Sequence, residues 1–125
     1  MDVVNFFLDI NDGDYSFKNP SNIKMTILGC FLTSDVGSRP SSFKKWGFDN
    51  KSEYTCSNAT ALEKENDYIL LTDFYSEETT PTVLKMTHQQ FIQILTDWEE
   101  KVLKLKPKEV TITYENDQFI IETKN

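Results

Sequence analysis

The feature that most constrains this chain is the segment 87–106, whose apolar positions recur at helical spacing and lead directly into a strand–turn–strand pattern. Thr87 carries the hydroxyl of a good N-cap, able to accept from the free N–H groups of a first helical turn. Gln90 stands three residues on and completes a capping box, and Met86 and Phe91 hold the two positions of a hydrophobic staple. Phe91, Leu95, Trp98, Val102 and Leu105 then form one apolar stripe, widened by Ile94. Gln93, Asp97, Glu100, Lys101 and Lys104 fall on the opposite face. Lys101, Lys104 and Lys106 crowd the end where cations suit the helix dipole, and Pro107 stops the helix. The spacing predicts one long helix over 87–106.

Beyond Pro107, Val110, Ile112 and Tyr114 alternate with Thr111, Thr113 and Glu115, the period of a half-buried strand. Asn116-Asp117 is turn chemistry, since both residues tolerate unusual backbone angles. With those two as the loop, Tyr114 pairs with Phe119 and Ile112 with Ile121. All four share one face with Val110. Thr111, Thr113 and Glu122 take the other face, with a lone Ile120. Turn, register and pattern agree on a hairpin over 109–123.

The rest of the chain is read more coarsely. Val4, Phe6, Leu8 and Ile10 alternate and predict a strand over 3–10. Residues 11–22 read as a polar connection broken by Gly13 and Pro20. Residues 23–33 show Ile23, Met25, Ile27 and Phe31 on one face and Leu28, Cys30 and Leu32 on the other, which predicts a central strand. Residues 38–42 read as a loop. The stretch 34–66 has no clear period, yet is too long to be structureless in a compact domain. It is expected to hide a short strand or helix around Trp46 or Tyr54. Strands are expected over 68–75 and 82–86, joined by an acidic loop over 76–81.

The 125 residues are read as one α+β domain. The expected architecture is an antiparallel twisted sheet of about five to seven strands, with the long helix of the C-terminal half packed on one face.

Charge bears on partners. The formal net charge is -7 and the pI is near 4.6. Nucleic-acid binding needs a basic stripe on the phosphates, and an anionic membrane repels such a chain, so neither is expected as a partner. A basic protein suits it better. Between Glu63 and Glu100 nine acids face only Lys64 and Lys85, so this stretch carries the whole net charge. The acids can be a solvated face that aids solubility, or an electrostatic face for a cationic protein.

The N-terminus lacks a basic region, and its apolar run stops at Asp9, so no signal peptide is expected. No run reaches transmembrane length. The protein is expected to be cytoplasmic, with Cys30 and Cys56 as reduced thiols.

His88 is the single histidine and falls in a first helical turn, where a structural or surface role is usual. Cys30 and Cys56 lie far apart with no CxxC or clustered His, so they do not form a zinc site. The run Asp9-Ile10-Asn11-Asp12-Gly13-Asp14 has a calcium-loop look. However, Gly13 comes one position early and Pro20 stands where the loop needs Glu, so a tight acidic turn is expected instead. The four glycines form no phosphate-binding loop. No catalytic residue, cofactor or metal is expected. Trp98 is read as core. Trp46, Phe48, Tyr54 and Tyr75 fit either satellite core packing or binding anchors.

The runs Leu70-Leu71-Thr72-Asp73-Phe74-Tyr75 and Leu84-Lys85-Met86-Thr87 are followed by Phe91, Leu95, Trp98-Glu99 and Lys106-Pro107-Lys108-Glu109-Val110, then the hairpin. Over about residues 68–123 this pattern resembles the immunity proteins of bacterial contact-dependent growth inhibition systems and related polymorphic toxins. The resemblance implies a small cytosolic antitoxin, an immunity protein without enzymatic activity. Such a protein binds the toxin domain of a cognate effector, often a nuclease, and blocks it. The matching positions are scaffold, so the resemblance assigns no contact residue. From charge and exposure, the expected partner-binding residues are Glu63, Glu65, Asp67, Asp73, Tyr75, Glu77 and Glu78, with Trp46 and Phe48 as anchors. Two alternatives stay open: a small enzyme or enzyme subunit with its site in 34–66, and an adaptor domain.

Overall fold

The computed structural model describes residues 1–49 and 52–125; Asn50 and Lys51, which belong to the stretch 34–66, lie outside the described residues. The described elements run β1 (Asp2–Leu8), β2 (Tyr15–Lys18), α1 (Ile23–Cys30), α2 (Pro40–Phe48), β3 (Tyr54–Cys56), β4 (Thr60–Glu65), β5 (Tyr68–Asp73), β6 (Leu84–Thr87), α3 (His88–Asp97), β7 (Glu109–Glu115) and β8 (Gln118–Lys124). Two of the helices do not end at their last α-turn. α1 runs on into a π-helical segment, Phe31–Val36, and α3 into another, Trp98–Leu103. The wider winding shows in the bonds from Gly37 N–H to Leu32 C=O and from Lys104 N–H to Glu99 C=O, each 3.1 Å and five residues long.

The class is α+β, but the strands form two antiparallel sheets of four rather than one sheet of five to seven. Their orders are β2-β1-β7-β8 and β3-β4-β5-β6. Alternation reveals that a segment is a strand and which face it buries. It does not reveal a distant partner, and the first sheet depends on β1 pairing with β7 from the far end of the chain. α1 touches β1 and β2 in one sheet and β5 and β6 in the other; α3 touches β8 in the first and β5 and β6 in the second. These two helices therefore join the sheets through a shared core.

That placement explains the main misreading. Residues 23–33 are not a strand; they form α1 and the start of its π-helical extension. A helix packed against two sheets needs apolar residues around most of its circumference, and Met25, Ile27, Leu28, Phe31 and Leu32 are all buried. Such a run has the two-faced look of a central strand. Asn22 supplies the cap, its Oδ1 accepting from Met25 N–H at 3.0 Å. Gly29 lets α1 approach β2 closely, since a Cβ there would stand 2.6 Å from Phe17 Cγ.

Other boundaries shift as well. β1 ends at Leu8, and Ile10 lies exposed in the turn beyond it. β2 occupies part of the connection read as polar, and β5 stops at Asp73, short of Tyr75. The supposed loop 38–42 contains the start of α2, with Pro40 in the first helical turn, where its missing N–H costs nothing. The stretch 34–66 holds α2 around Trp46, β3 at Tyr54, and also β4.

The C-terminal module follows its sequence closely. Thr87 Oγ1 accepts from Gln90 N–H at 3.0 Å, and Gln90 Oε1 accepts from Thr87 N–H at 2.7 Å, so both halves of the capping box form. Phe91, Ile94, Leu95, Trp98 and Val102 are buried. Leu105 departs from the stripe and is 71 % exposed, because the π-helical winding changes the rotation per residue and the helix ends at Leu103. The helix thus stops short of 106. In the hairpin Tyr114 faces Phe119 and Ile112 faces Ile121. Asn116 and Asp117 both have positive φ, 53° and 60°, the pair of angles a type I′ turn requires.

Candidate partner-binding surface

The acids of the second sheet are placed by alternation along β4 and β5. Thr60 and Leu62 point inward, so Glu63 and Glu65 point out, opposite Leu70 and Tyr68 of β5. Asp67 sits in the β4–β5 turn, where its carbonyl accepts from His88 N–H at 2.9 Å. Asp73 closes β5, and its Oδ1 accepts from Tyr75 N–H at 2.9 Å. Beyond it Glu77 and Glu78 are exposed, with Ser76 Oγ accepting from Glu78 N–H at 3.3 Å.

These residues form two groups rather than one. β5 separates them by about 17 Å, at roughly 3.3 Å per strand residue. At one end stand Glu65, Asp67 and the exposed Phe48, whose ring lies 5.9 Å from that of His88. His88 Nε2 in turn meets the carbonyl of Gly47 at the end of α2. At the other end stand Asp73, Tyr75, Glu77 and Glu78. Tyr75 is 70 % exposed and meets Phe74 edge-on at 5.2 Å. Glu63 lies between the groups on the outer face of the sheet. Phe74, 44 % exposed, is an addition: the alternation placed it inside the strand expected over 68–75, whereas β5 ends at Asp73.

Trp46 is half-buried and turned inward, its ring 5.9 Å from Phe91. Lys64 Nζ lies 4.5 Å from the Trp46 ring centre and donates to the carbonyls of Trp46 and Asp49. One of the two cations of the acidic stretch is thus drawn off toward α2. The other, Lys85, holds its Nζ over the Tyr68 ring at 4.0 Å. Among the described residues none of Glu63, Glu65, Asp67, Asp73, Glu77 and Glu78 is in an ion pair.

A second feature lies on the Tyr68 side of this sheet. The exposed flank of α3, β6 and the β7–β8 turn enclose an open groove of about 940 Å³. Gln89, Gln90, Gln93 and Gln118 line it, with the rings of Tyr68 and Tyr114. The sequence reading saw only a polar helix face here. The Gln90 side-chain amide donates to the carbonyl of Asp117, which ties the turn to the helix. The Tyr114 hydroxyl is held above its ordinary pKa, chiefly by burial and then by the nearby Asp117 carboxylate.

Cys30 also has a raised pKa, caused first by burial and then by the Asp73 and Asp35 carboxylates. Cys56 is exposed on β3. Among the described residues no group of three or more His, Cys, Asp or Glu side chains is placed to hold a metal ion, and no helix is long and apolar enough to cross a membrane. No protein-family model, curated protein or solved structure matches this chain.

Proposed function

We propose that this protein is an immunity protein that binds and neutralises the toxin domain, a basic nuclease, of a cognate contact-dependent growth inhibition effector. One observation carries the reading: two groups of exposed acids, Glu65 and Asp67 at one end of β5 and Asp73, Glu77 and Glu78 at the other, are free of ion pairs among the described residues, and each stands beside an exposed aromatic ring. A nuclease must hold phosphates and so presents cations. An acidic surface speeds encounter with such a protein and covers its substrate-binding face.

Tyr75 and Phe48 are the anchors the proposal relies on, because aromatic rings give large contact area at low entropic cost. Trp46 is better explained by packing against Phe91 and Lys64. Co-purification with the product of the neighbouring effector gene tests the reading, followed by inhibition of that toxin domain in vitro. Absence of both binding and protection refutes it.

A further inference from the structure

We propose that the groove beside α3 binds an extended peptide segment bearing a basic side chain. Its origin in a basic toxin rests on the function proposed above; the groove's chemistry does not.

The first ground is the lining. Gln89, Gln93 and Gln118 are exposed primary amides, which peptide groups complement; Gln93 already donates one N–H to Asp97 Oδ1 at 2.9 Å and keeps its second N–H and its carbonyl oxygen. The second is the backbone. β6 and β8 are both outer strands, and each lines the groove. The bond from His88 N–H to Asp67 C=O sets the alternation along β5–β6, so the N–H and C=O of Lys85 turn away from β5. The two-residue turn makes Glu115 and Gln118 a hydrogen-bonded pair, so the N–H and C=O of Phe119 turn away from β7. Peptide groups from two different sheets therefore border one groove lined with side-chain amides. An extended chain matches this with its own alternating donors and acceptors.

The basic side chain follows from charge. Asp97 and Asp117 lie in the lining, and Glu65 is paired with Tyr68 on the neighbouring strand β4. The lining cation, Lys85, already lies over the Tyr68 ring. The ring of Tyr114 offers a face on which a guanidinium can stack.

The test is a titration of the full-length, isotope-labelled protein with a blocked hexapeptide of alternating threonine and arginine, followed by NMR. The expected result is saturable shifts of the Gln89, Gln93 and Gln118 side-chain amides and of the Lys85 and Phe119 backbone signals. The double change Gln93→Arg with Gln118→Arg should weaken binding by about tenfold. Gln93→Ala serves as a second variant if the double one unfolds. Asp12→Asn, in the exposed turn between β1 and β2, should leave the titration unchanged. The proposal is overturned if shifts are absent or confined to the 76–81 loop, or if a threonine–glutamate hexapeptide binds equally well. It is also overturned if maltohexaose occupies the groove and the peptide does not. A protein that passes this titration yet fails to bind the toxin domain refutes the immunity function and leaves the groove assignment standing.

Discussion

The indole of Trp98 meets the ring of Phe6 edge-on, with centroids 4.9 Å apart and planes inclined by 63°. Phe6 belongs to the first strand and Trp98 to the π-helical extension of α3, so the contact ties β1 to the helix of the C-terminal half. Tyr15 adds a second edge contact at 5.8 Å. Trp98→Ala should therefore cost about 3–5 kcal/mol in denaturant unfolding, the range for emptying a large aromatic from a core. Among the described residues the indole N–H has no hydrogen-bond partner, so Trp98→Phe should cost clearly less. Equal losses for the two variants would contradict this account.

Gly29→Ala is expected to destabilise despite alanine's better helix propensity. The added methyl would meet Phe17 at 2.6–3.0 Å, and overpacking of this kind costs about 1–3 kcal/mol. Gly29→Ala combined with Phe17→Leu should recover part of the loss. A stabilised single variant would show that the approach of α1 to β2 is looser than the structure describes.

Cys30 gives the protein an alkaline sensitivity. Its folded-state pKa lies above the unfolded value, so the unfolded chain releases the thiol proton first as pH rises. Stability is then complete below the ordinary thiol value of about 8.5 and falls as pH rises through the folded pKa. Tyr15, raised by burial, and Tyr114 act in the same direction at higher pH. Urea unfolding of the native sequence should thus give a lower midpoint at pH 9.5 than at pH 7, and Cys30→Ser should reduce the difference. Iodoacetamide should modify the exposed Cys56 well before Cys30.

If the proposed immunity function holds, reversing Glu77 and Glu78 to Lys should slow association with the toxin domain, and added salt should shrink the difference. If the two carboxylates also pair with buried cations, dissociation should quicken by the equivalent of about 2–5 kcal/mol. Stopped-flow kinetics at two salt concentrations separates these contributions. An association rate unchanged at low salt would remove the steering argument.

The C-terminal module was legible because its signals are local: a cap, a staple, a stripe and a two-residue turn all lie within a few residues of the groups they act on. Residues 23–33 misled because their environment is not local. Only the two sheets that flank α1 explain why so much of its circumference is apolar, and nothing near Leu28 announces them. The same holds for the candidate surfaces. The acids were visible as a run, but their division into two groups follows from the β4–β5 pairing. The groove was invisible because its walls, β6 and the β7–β8 turn, come from different sheets. Leu105 shows the limit of periodicity from another side: its register was right for an α-helix, and the chain did not remain one.

Each π-helical segment spends one more residue per hydrogen-bonded ring than an α-helix needs. The chain therefore holds two places where its length can change inside a helix rather than in a loop. Removing Glu100 would leave Val102 three residues from Trp98, still on the buried face, and would bring Leu103 to the four-residue position beside it. Such a shortened chain would keep its apolar seam and gain regular winding. Insertions and deletions in this fold can thus be absorbed at Phe31–Val36 and Trp98–Leu103, next to the core, while the turns that set strand register keep their lengths.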